Sequence, residues 1–257
     1  MIAEVEATGL VDAFSADHHV IVPDRPGFGH SPRPRAIDWT PERQAQAIGA
    51  MMDAVDDRPA IVIAHSWGTL VALALALDRP DRVRALVLIS GFYFPEPRSD
   101  IVLAAPAIPV VGDVMRYTIS PVVGYATADK VFAKIFAPNP VTGRFKAQVP
   151  VLMGLRPWQL RAAAEEVASM HSGADRLSRR YGEIKCPVGL LAGRSDQIID
   201  PHRQTKRLAR HIPQADLRHH RWRRSYAATH RSPRSFGSGE AVRGRGPAGD
   251  RRNRGWS

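Results

Sequence analysis

Cysteine is almost absent from this chain of 257 residues, because Cys186 is the single one. One cysteine cannot form an internal disulfide, which excludes the class of small secreted domains that disulfides hold together. The histidines and this cysteine do not stand at the short spacings of structural zinc sites. We therefore predict no metal site, and we interpret Cys186 as a small buried residue in a reducing compartment.

An uninterrupted apolar run of membrane-spanning length is also lacking. The longest apolar stretch, residues 61–77, is broken by His65, Ser66 and Gly68. The first residues, "MIAEVEATGL", include early acids and lack the positive segment of a secretory signal. We expect a cytoplasmic protein with no membrane partner.

Acidic residues are scarce at one end only. Residues 218–257 hold eleven arginines against Glu240 and Asp250, so nearly all of the net charge of +11 lies there. The same stretch contains no Leu, Ile or Met and is rich in Arg, Gly, Ser and Pro. Such a composition cannot bury a periodic apolar face, and we predict a disordered tail.

The rest of the chain alternates predicted strands with predicted helices. The apolar segments predicted as strands are His19–Val22, Ala60–Ala64, Val83–Ser90 and Cys186–Gly193. Helices are predicted over 40–56, where Thr40 is a candidate N-cap before Pro41, over 67–80, and from about Asp200 onward. This order is typical of an α/β fold with a mostly parallel sheet flanked by helices.

Between Phe92 and Tyr181 the strand pattern stops and helical patterns broken by prolines take its place. We interpret this part as a helical cap inserted into the sheet domain. The predicted organisation is a first core part over 1–95, the cap over 96–182, a second core part over 183–217 and the Arg-rich tail over 218–257.

The segment Ala64-His65-Ser66-Trp67-Gly68 joins a predicted strand to a predicted helix. A sharp turn at this junction presents a serine above the sheet edge as a nucleophile, and small residues such as Ala64 and Gly68 allow the backbone to approach closely. The turn also directs the backbone N–H of Trp67 toward a developing oxyanion. The alternative is that Ser66 only caps the helix, and His65 is interpreted as structural.

Three separated blocks resemble the α/β-hydrolase superfamily, in particular its small-molecule esterase, lactonase and haloperoxidase-like branch. The blocks are "VIVPDRPGFGHSPRP", "AHSWGTLVALALALDRPDRVRALVLISG" and "CPVGLLAGRSDQIIDPHRQTKRLARHIPQADL". The resemblance covers most of residues 1–217. It implies a Ser–acid–His triad in that chain order, a helical cap over the pocket, a small acyl substrate and no cofactor.

Carried over residue by residue, Ser66 matches the nucleophile and Asp196 matches the acid that orients the histidine. A solvated loop carboxylate is the alternative interpretation of Asp196. Asp200 is the rival acid, although its place before Pro201 suits an N-cap. Around Trp158 the cap is expected to shape an apolar pocket, and His30 and Ser31 are candidates for its mouth.

The family's base is expected shortly after Leu217 in a Gly-His turn, where this chain has Ser225. The flanking histidines, His219, His220 and His230, do not lie in such a turn. If Trp222–Tyr226 were encoded TGG CGG CGG TCA TAT and followed by G, a shift of one base would read Gly-Gly-Gly-His-Met. We therefore hypothesise that the sequence after about Leu217 is a frame-shifted translation.

The family also carries a strand ending in His-Gly before its first helix, and that loop supplies a second oxyanion N–H. This chain starts at "MIAEVEATGLVDAF", which resembles the helix after the loop. We expect the early antiparallel strands, the central strand and the His-Gly loop to be missing, as in an N-terminally truncated member.

Three functions stay open at this point. The first is a serine hydrolase acting on an ester, a lactone or a related small acyl compound. The second is a catalytically impaired or inactive fragment of such an enzyme. The third is nucleic-acid binding by the Arg-rich tail with its four aromatic residues, although no nucleic-acid-binding fold accompanies it. The sequence makes no prediction of the oligomeric state.

Overall fold

A four-stranded parallel sheet forms the centre of the molecule. The computed structural model describes residues 1–96, 106–137, 139–193, 196 and 198–220, except the side chains of 219 and 220. The strands lie side by side in chain order and are β1 (Ala60–His65), β2 (Val83–Ile89), β3 (Val188–Gly193) and β4 (Ala215–His220). The prediction of an α/β fold with a parallel sheet is confirmed.

The helices of the described residues are α1 (Ile2–Thr8), α2 (Leu10–Phe14), α3 (Pro41–Val55), α4 (Gly68–Asp78), α5 (Val111–Tyr117), α6 (Ile119–Phe136), α7 (Gly143–Gln148), α8 (Val151–Gly154), α9 (Pro157–Ser178) and α10 (Thr205–His211). A short 3₁₀ turn, Tyr181–Glu183, precedes β3. Five of these helices, α5 to α9, come between β2 and β3, where the described residues include no strand. This agrees with the predicted helical insertion, whereas the domain boundaries stay a prediction.

The start of α3 and the burial of α4 both follow from their own residues. The hydroxyl oxygen of Thr40 accepts a hydrogen bond of 3.3 Å from the N–H of Arg43, and Pro41 occupies the first helical position. In α4, all residues from 69 to 77 are buried. A helix that is apolar on every side belongs in the interior, so α4 packs into the main core between the sheet, α3 and α9.

Two of the predicted elements differ in the structure. Residues 19–22 form no strand, because β1 is an edge of the described sheet and no strand pairs with it on that side. Without a partner for its backbone hydrogen bonds, an apolar segment cannot join a ladder. The helix expected from about Asp200 begins only at Thr205, after a turn over residues 201–204.

Two apolar side chains of the edge strand β1 are exposed. Ile61 and Ile63 stand on one face of β1 and are each 41% exposed. In a parallel sheet both faces are ordinarily covered by helices. The exposure of the two isoleucines shows that, among the described residues, this face of β1 is only partly covered. The predicted tail over 218–257 lies almost entirely outside the described residues.

In the described part of the chain, no helix is both long and apolar enough to cross a lipid bilayer.

Candidate active site

Ser66 lies in a strained turn at the carboxyl end of β1. Its φ of 53° is in the left-handed region, which costs energy for any residue with a Cβ. Its N–H donates a hydrogen bond of 3.0 Å to the carbonyl of Ile89, and its own carbonyl accepts from the N–H and the hydroxyl of Thr69 at 3.1 Å and 2.6 Å. Strain of this kind persists where surrounding contacts hold the backbone, as at many functional turns.

Trp67 follows this turn and is the N-cap of α4. The side chain is buried, with only 6% of the residue exposed, and its indole Nε1 donates a hydrogen bond of 2.9 Å to the carbonyl of Glu166 in α9. The backbone N–H of Trp67 belongs to the amino end of an eleven-residue helix, where the partial charge is positive. This position suits an oxyanion donor.

Gly68 was expected to be small because the backbone approaches closely at this turn. The described residues around it do not require a glycine. A Cβ added to Gly68 would meet no heavy atom within 4 Å among them. Close approach occurs instead at Gly91, after β2, where a Cβ would overlap the hydroxyls of Thr69 and Tyr93. The crowded backbone therefore lies one strand away from the position that the motif suggested.

Asp196 is buried after the end of β3, with 8% of the residue exposed. Its Oδ1 accepts hydrogen bonds from the N–H groups of Ile198 and Ile199 at 2.9 Å and 3.0 Å. These bonds fix the carboxylate against its own loop, and the burial argues against a freely solvated loop residue.

Ser66 and Asp196 follow strands that run in the same direction, β1 and β3, so both lie at the carboxyl edge of the sheet. One strand separates them, which corresponds to about 10 Å across the sheet at the usual strand spacing. An imidazole bound to the carboxylate on one side and to the hydroxyl on the other spans a gap of this kind.

The rival acid, Asp200, has a different role. Its Oδ1 accepts from the N–H groups of His202 and Arg203 at 2.8 Å and 3.3 Å, so it closes the turn that precedes α10. This is the capping function that its place before Pro201 suggested, although the helix begins later.

The remaining candidates of the sequence make contacts within their own segments. His30 is exposed, and the Ser31 hydroxyl donates to the carbonyl of Asp24 at 2.7 Å, which closes their own loop. Trp158 is 46% exposed under the guanidinium of Arg156. The side chains of His219 and His220, and all of His230, lie outside the described residues.

Sequence reasoning missed two features of the site. Ser90 directly follows β2 with a φ of 44° and is buried beside the turn at Ser66, because β1 and β2 run in register up to their ends. The second feature is a buried polar group, composed of Arg25, Gln44 and Glu166, that packs against Trp67. Neither has a local signal, since each depends on residues that are far apart in sequence.

No group of three or more His, Cys, Asp or Glu side chains within the described ranges could hold a metal ion.

Comparison with known proteins supports a single family. The family described as the alpha/beta hydrolase fold matches residues 4–230. Lipase LipV of Mycobacterium tuberculosis (strain H37Rv) is 43% identical over 70 residues, which is 27% of this chain and 26% of that protein. RutD of Pseudomonas savastanoi pv. phaseolicola is 26% identical over 223 residues, which is 80% of this chain and 75% of that protein.

Among the first curated relatives, the aligned segment spans only 26% to 32% of their own length. Similar solved structures cover more of the chain. The epoxide hydrolase CorEH has a TM-score of 0.71 at 17% identity, over 91% of this chain and 83% of that one. An esterase from Thermogutta terrifontis has a TM-score of 0.58 at 21% identity, over 84% and 75%. At these identities the likeness shows the fold alone, and the family match over most of the chain carries the assignment: this protein belongs to the α/β-hydrolase family.

Proposed function

We propose that this chain is a serine hydrolase that acts on an ester, a lactone or a related small acyl compound. Ser66 is the nucleophile, the backbone N–H of Trp67 stabilises the oxyanion, and Asp196 orients a histidine base. The observation that carries the proposal is the left-handed φ of 53° at Ser66, between the strand β1 and the buried helix α4. A serine that only caps a helix adopts ordinary extended dihedrals and does not require this strain.

The reaction has two steps. The Ser66 hydroxyl adds to the acyl carbon and its proton passes to the histidine, while the carbonyl oxygen becomes an oxyanion that accepts from the Trp67 N–H. Collapse expels the leaving group, which takes the proton back, and leaves an acyl-serine ester. Water then attacks that ester with the same histidine as base, which releases the acid and restores Ser66.

Chemistry favours acyl transfer over the other reactions named among the relatives, which include haloalkane dehalogenases and an epoxide hydrolase. Displacement of a halide, or opening of an epoxide, by a serine hydroxyl would leave an ether that water does not cleave. A serine nucleophile is turned over only when it forms an ester. The esterase and the lactone-degrading enzyme Est816 among the similar structures are consistent with this substrate class.

The position of the base follows from the sheet. β4 is the edge opposite β1, three strand spacings away, or about 14 Å. His220 is the last residue of β4, so its backbone lies at the far side of the sheet from the end of β1. We infer that the base comes from residues after 220, which lie outside the described residues. His230 is the candidate in the present sequence, and position 225 is the candidate in the shifted frame.

The test is covalent labelling with a fluorophosphonate, followed by peptide mass spectrometry. Wild-type protein should be labelled at Ser66, and the variant Ser66→Ala should not be. Asp196→Asn should slow labelling by at least about 100-fold, because the imidazole loses its orienting carboxylate. The matched control, Asp200→Asn, should label at the wild-type rate. If Asp200→Asn is slow and Asp196→Asn is not, the assignment of the acid is wrong.

The second candidate is a catalytically impaired hydrolase, and Ser225 at the expected position of the base favours it. Removal of the base in serine hydrolases lowers kcat by about 10⁶-fold. Under this hypothesis wild type and His230→Ala label equally slowly. Replacing Trp222–Tyr226 with Gly-Gly-Gly-His-Met should then accelerate labelling by at least about 10³-fold. Sequencing the encoding DNA tests the frame shift separately.

A further inference from the structure

Three polar side chains from three distant segments meet beside Trp67, two of them buried and one partly buried. Gln44 comes from α3, Glu166 from α9 and Arg25 from the loop before α3. Gln44 is fully buried, the Glu166 side chain is 7% exposed and that of Arg25 is 26% exposed. A buried carboxylate is costly unless it is paired and hydrogen-bonded, so this group requires an explanation.

The group is closed by reciprocal hydrogen bonds. Both terminal nitrogens of Arg25 donate to the Glu166 carboxylate, one to each oxygen. The Gln44 amide donates to Glu166 Oε1 at 3.1 Å, and its carbonyl oxygen accepts from Arg25 at 3.0 Å. Planar, two-pronged pairing of this kind is geometrically specific as well as strong.

The same residues hold Trp67 on two sides. The backbone carbonyl of Glu166 accepts from the indole Nε1 at 2.9 Å. The Arg25 guanidinium lies 4.9 Å from the centroid of the indole ring, at the distance of a cation–π contact. The indole is therefore held at its edge by the Glu166 carbonyl of α9 and across its face by the Arg25 guanidinium of the loop before α3.

Trp67 directly follows the strained residue Ser66, and its N–H is the oxyanion donor of the proposed function. We infer that Glu166, acting with Arg25 and Gln44, is a positioning residue that sets the direction of this N–H. The inference rests on the proposed function and adds a role for α9. The contact of α9 with the Arg25 loop affects the rate of acyl transfer at Ser66. In this role Glu166 acts through Trp67 rather than on the substrate.

The first test replaces the ion pair with apolar side chains of similar volume, Arg25→Met with Glu166→Leu. Such replacements are often near neutral for stability, but the buried Gln44 keeps only its bond to the Trp39 carbonyl, so we expect a lower unfolding midpoint and compare rates where both proteins are fully folded. Its maximal rate of fluorophosphonate labelling should fall about tenfold, with an unchanged half-saturating concentration. This loss is smaller than the 10²–10³-fold expected when an oxyanion donor is removed. A purely structural ion pair predicts no change in this rate as long as the variant is fully folded.

The adjacent acid provides the matched control. Glu165 pairs with Arg33 at 2.6 Å and makes no contact with Trp67 among the described hydrogen bonds, so Glu165→Gln should label within twofold of wild type. Trp67→Phe keeps an aromatic ring and removes the indole N–H. Its loss of rate should not add to that of Arg25→Met with Glu166→Leu, because both act through the same anchor. Additive losses overturn the inference.

Hydrogen exchange separates this inference from the proposed function. Peptides covering residues 64–70 should lose protection about tenfold in Arg25→Met with Glu166→Leu and keep it in Glu165→Gln. If wild type is not labelled but exchange changes as stated, the proposed function fails and the positioning role stands. If wild type is labelled and neither rate nor exchange responds to the double variant, the positioning role is wrong and the proposed function stands.

Discussion

The backbone N–H of Ser66 donates to the carbonyl of Ile89 on the neighbouring strand, at 3.0 Å. This bond continues the β1–β2 ladder one residue beyond the last paired strand position, His65 with Ile89. The ladder thus ends at the residue that adopts the left-handed conformation, and the helix α4 begins two residues later. The turn at Ser66 is therefore stabilised on one side by a hydrogen bond to β2, and the residue after it, Trp67, is anchored to α9.

Strain at Ser66 predicts that two variants lacking the hydroxyl differ in stability. Ser66→Gly relieves the left-handed strain, whereas Ser66→Ala keeps it. We expect Ser66→Gly to have a free energy of unfolding about 1 kcal/mol higher than Ser66→Ala. Urea denaturation followed by circular dichroism measures the difference. Equal stabilities would mean that the backbone at this residue is not strained.

The glycines after the two strand ends should respond in opposite directions. Gly91→Ala places a Cβ against the hydroxyls of Thr69 and Tyr93 and should destabilise the protein by about 2 kcal/mol. Gly68→Ala places its Cβ in open space at the start of α4 and should be neutral or stabilising by up to about 1 kcal/mol. The two midpoints of urea unfolding provide the comparison, and a destabilised Gly68→Ala would contradict it.

Gln204 should be among the most sensitive polar residues. Its Oε1 accepts from the N–H groups of Tyr93 and Phe94 at 2.6 Å and 2.8 Å, and its Nε2 donates to the Phe94 carbonyl at 2.9 Å. Gln204→Ala leaves three buried backbone groups without these partners, and we expect it to lower the free energy of unfolding by about 3 kcal/mol. The exposed Gln46→Ala on α3 should cost less than about 0.5 kcal/mol. Similar losses in both would contradict the role of Gln204.

The pair of Glu42 and Arg176 should stabilise the protein in a pH-dependent way. Burial raises the pKa of Glu42, but the hydrogen bond from Arg176 at 2.9 Å and further hydrogen bonds outweigh it, so the net pKa is below the ordinary value. A carboxylate with a lowered folded pKa stabilises above its unfolded pKa, and this contribution is lost as the pH falls through the folded value.

Arg176→Gln should therefore lower the free energy of unfolding by about 0.5 kcal/mol at pH 7, as is typical of a partly exposed pair. The difference from wild type should shrink as the pH is lowered through the acidic range in which Glu42 becomes protonated. Arg43→Gln, on the same helix as Glu42, serves as the control, and we expect no comparable pH dependence for it. Denaturation series at several pH values test this, and a difference that stays constant down to acid pH would exclude Glu42 as the partner.

Local patterns were sufficient for the parts of the fold that local chemistry sets. Thr40 and Pro41 indicated the start of α3, because capping depends on adjacent residues, and the apolar run before Ser66 indicated the strand β1. The order of strand, serine turn and helix also followed from the sequence. The place of Asp200 before Pro201 indicated a capping role, and its carboxylate accepts from two backbone N–H groups in the turn before α10.

Only the tertiary structure decided which partners these elements find. Residues 19–22 have the composition of a strand but form none, because strand formation depends on a neighbouring ladder rather than on composition. Similarly, the crowding at Gly91, and the anchoring of the Trp67 indole by the backbone carbonyl of Glu166, 99 residues further along the chain, arise from contacts between segments. The sequence by itself determined where a nucleophilic turn could form, and the packing of α9 and the loop at Arg25 decided how that turn is held, because burial makes a charge dependent on partners from elsewhere in the chain.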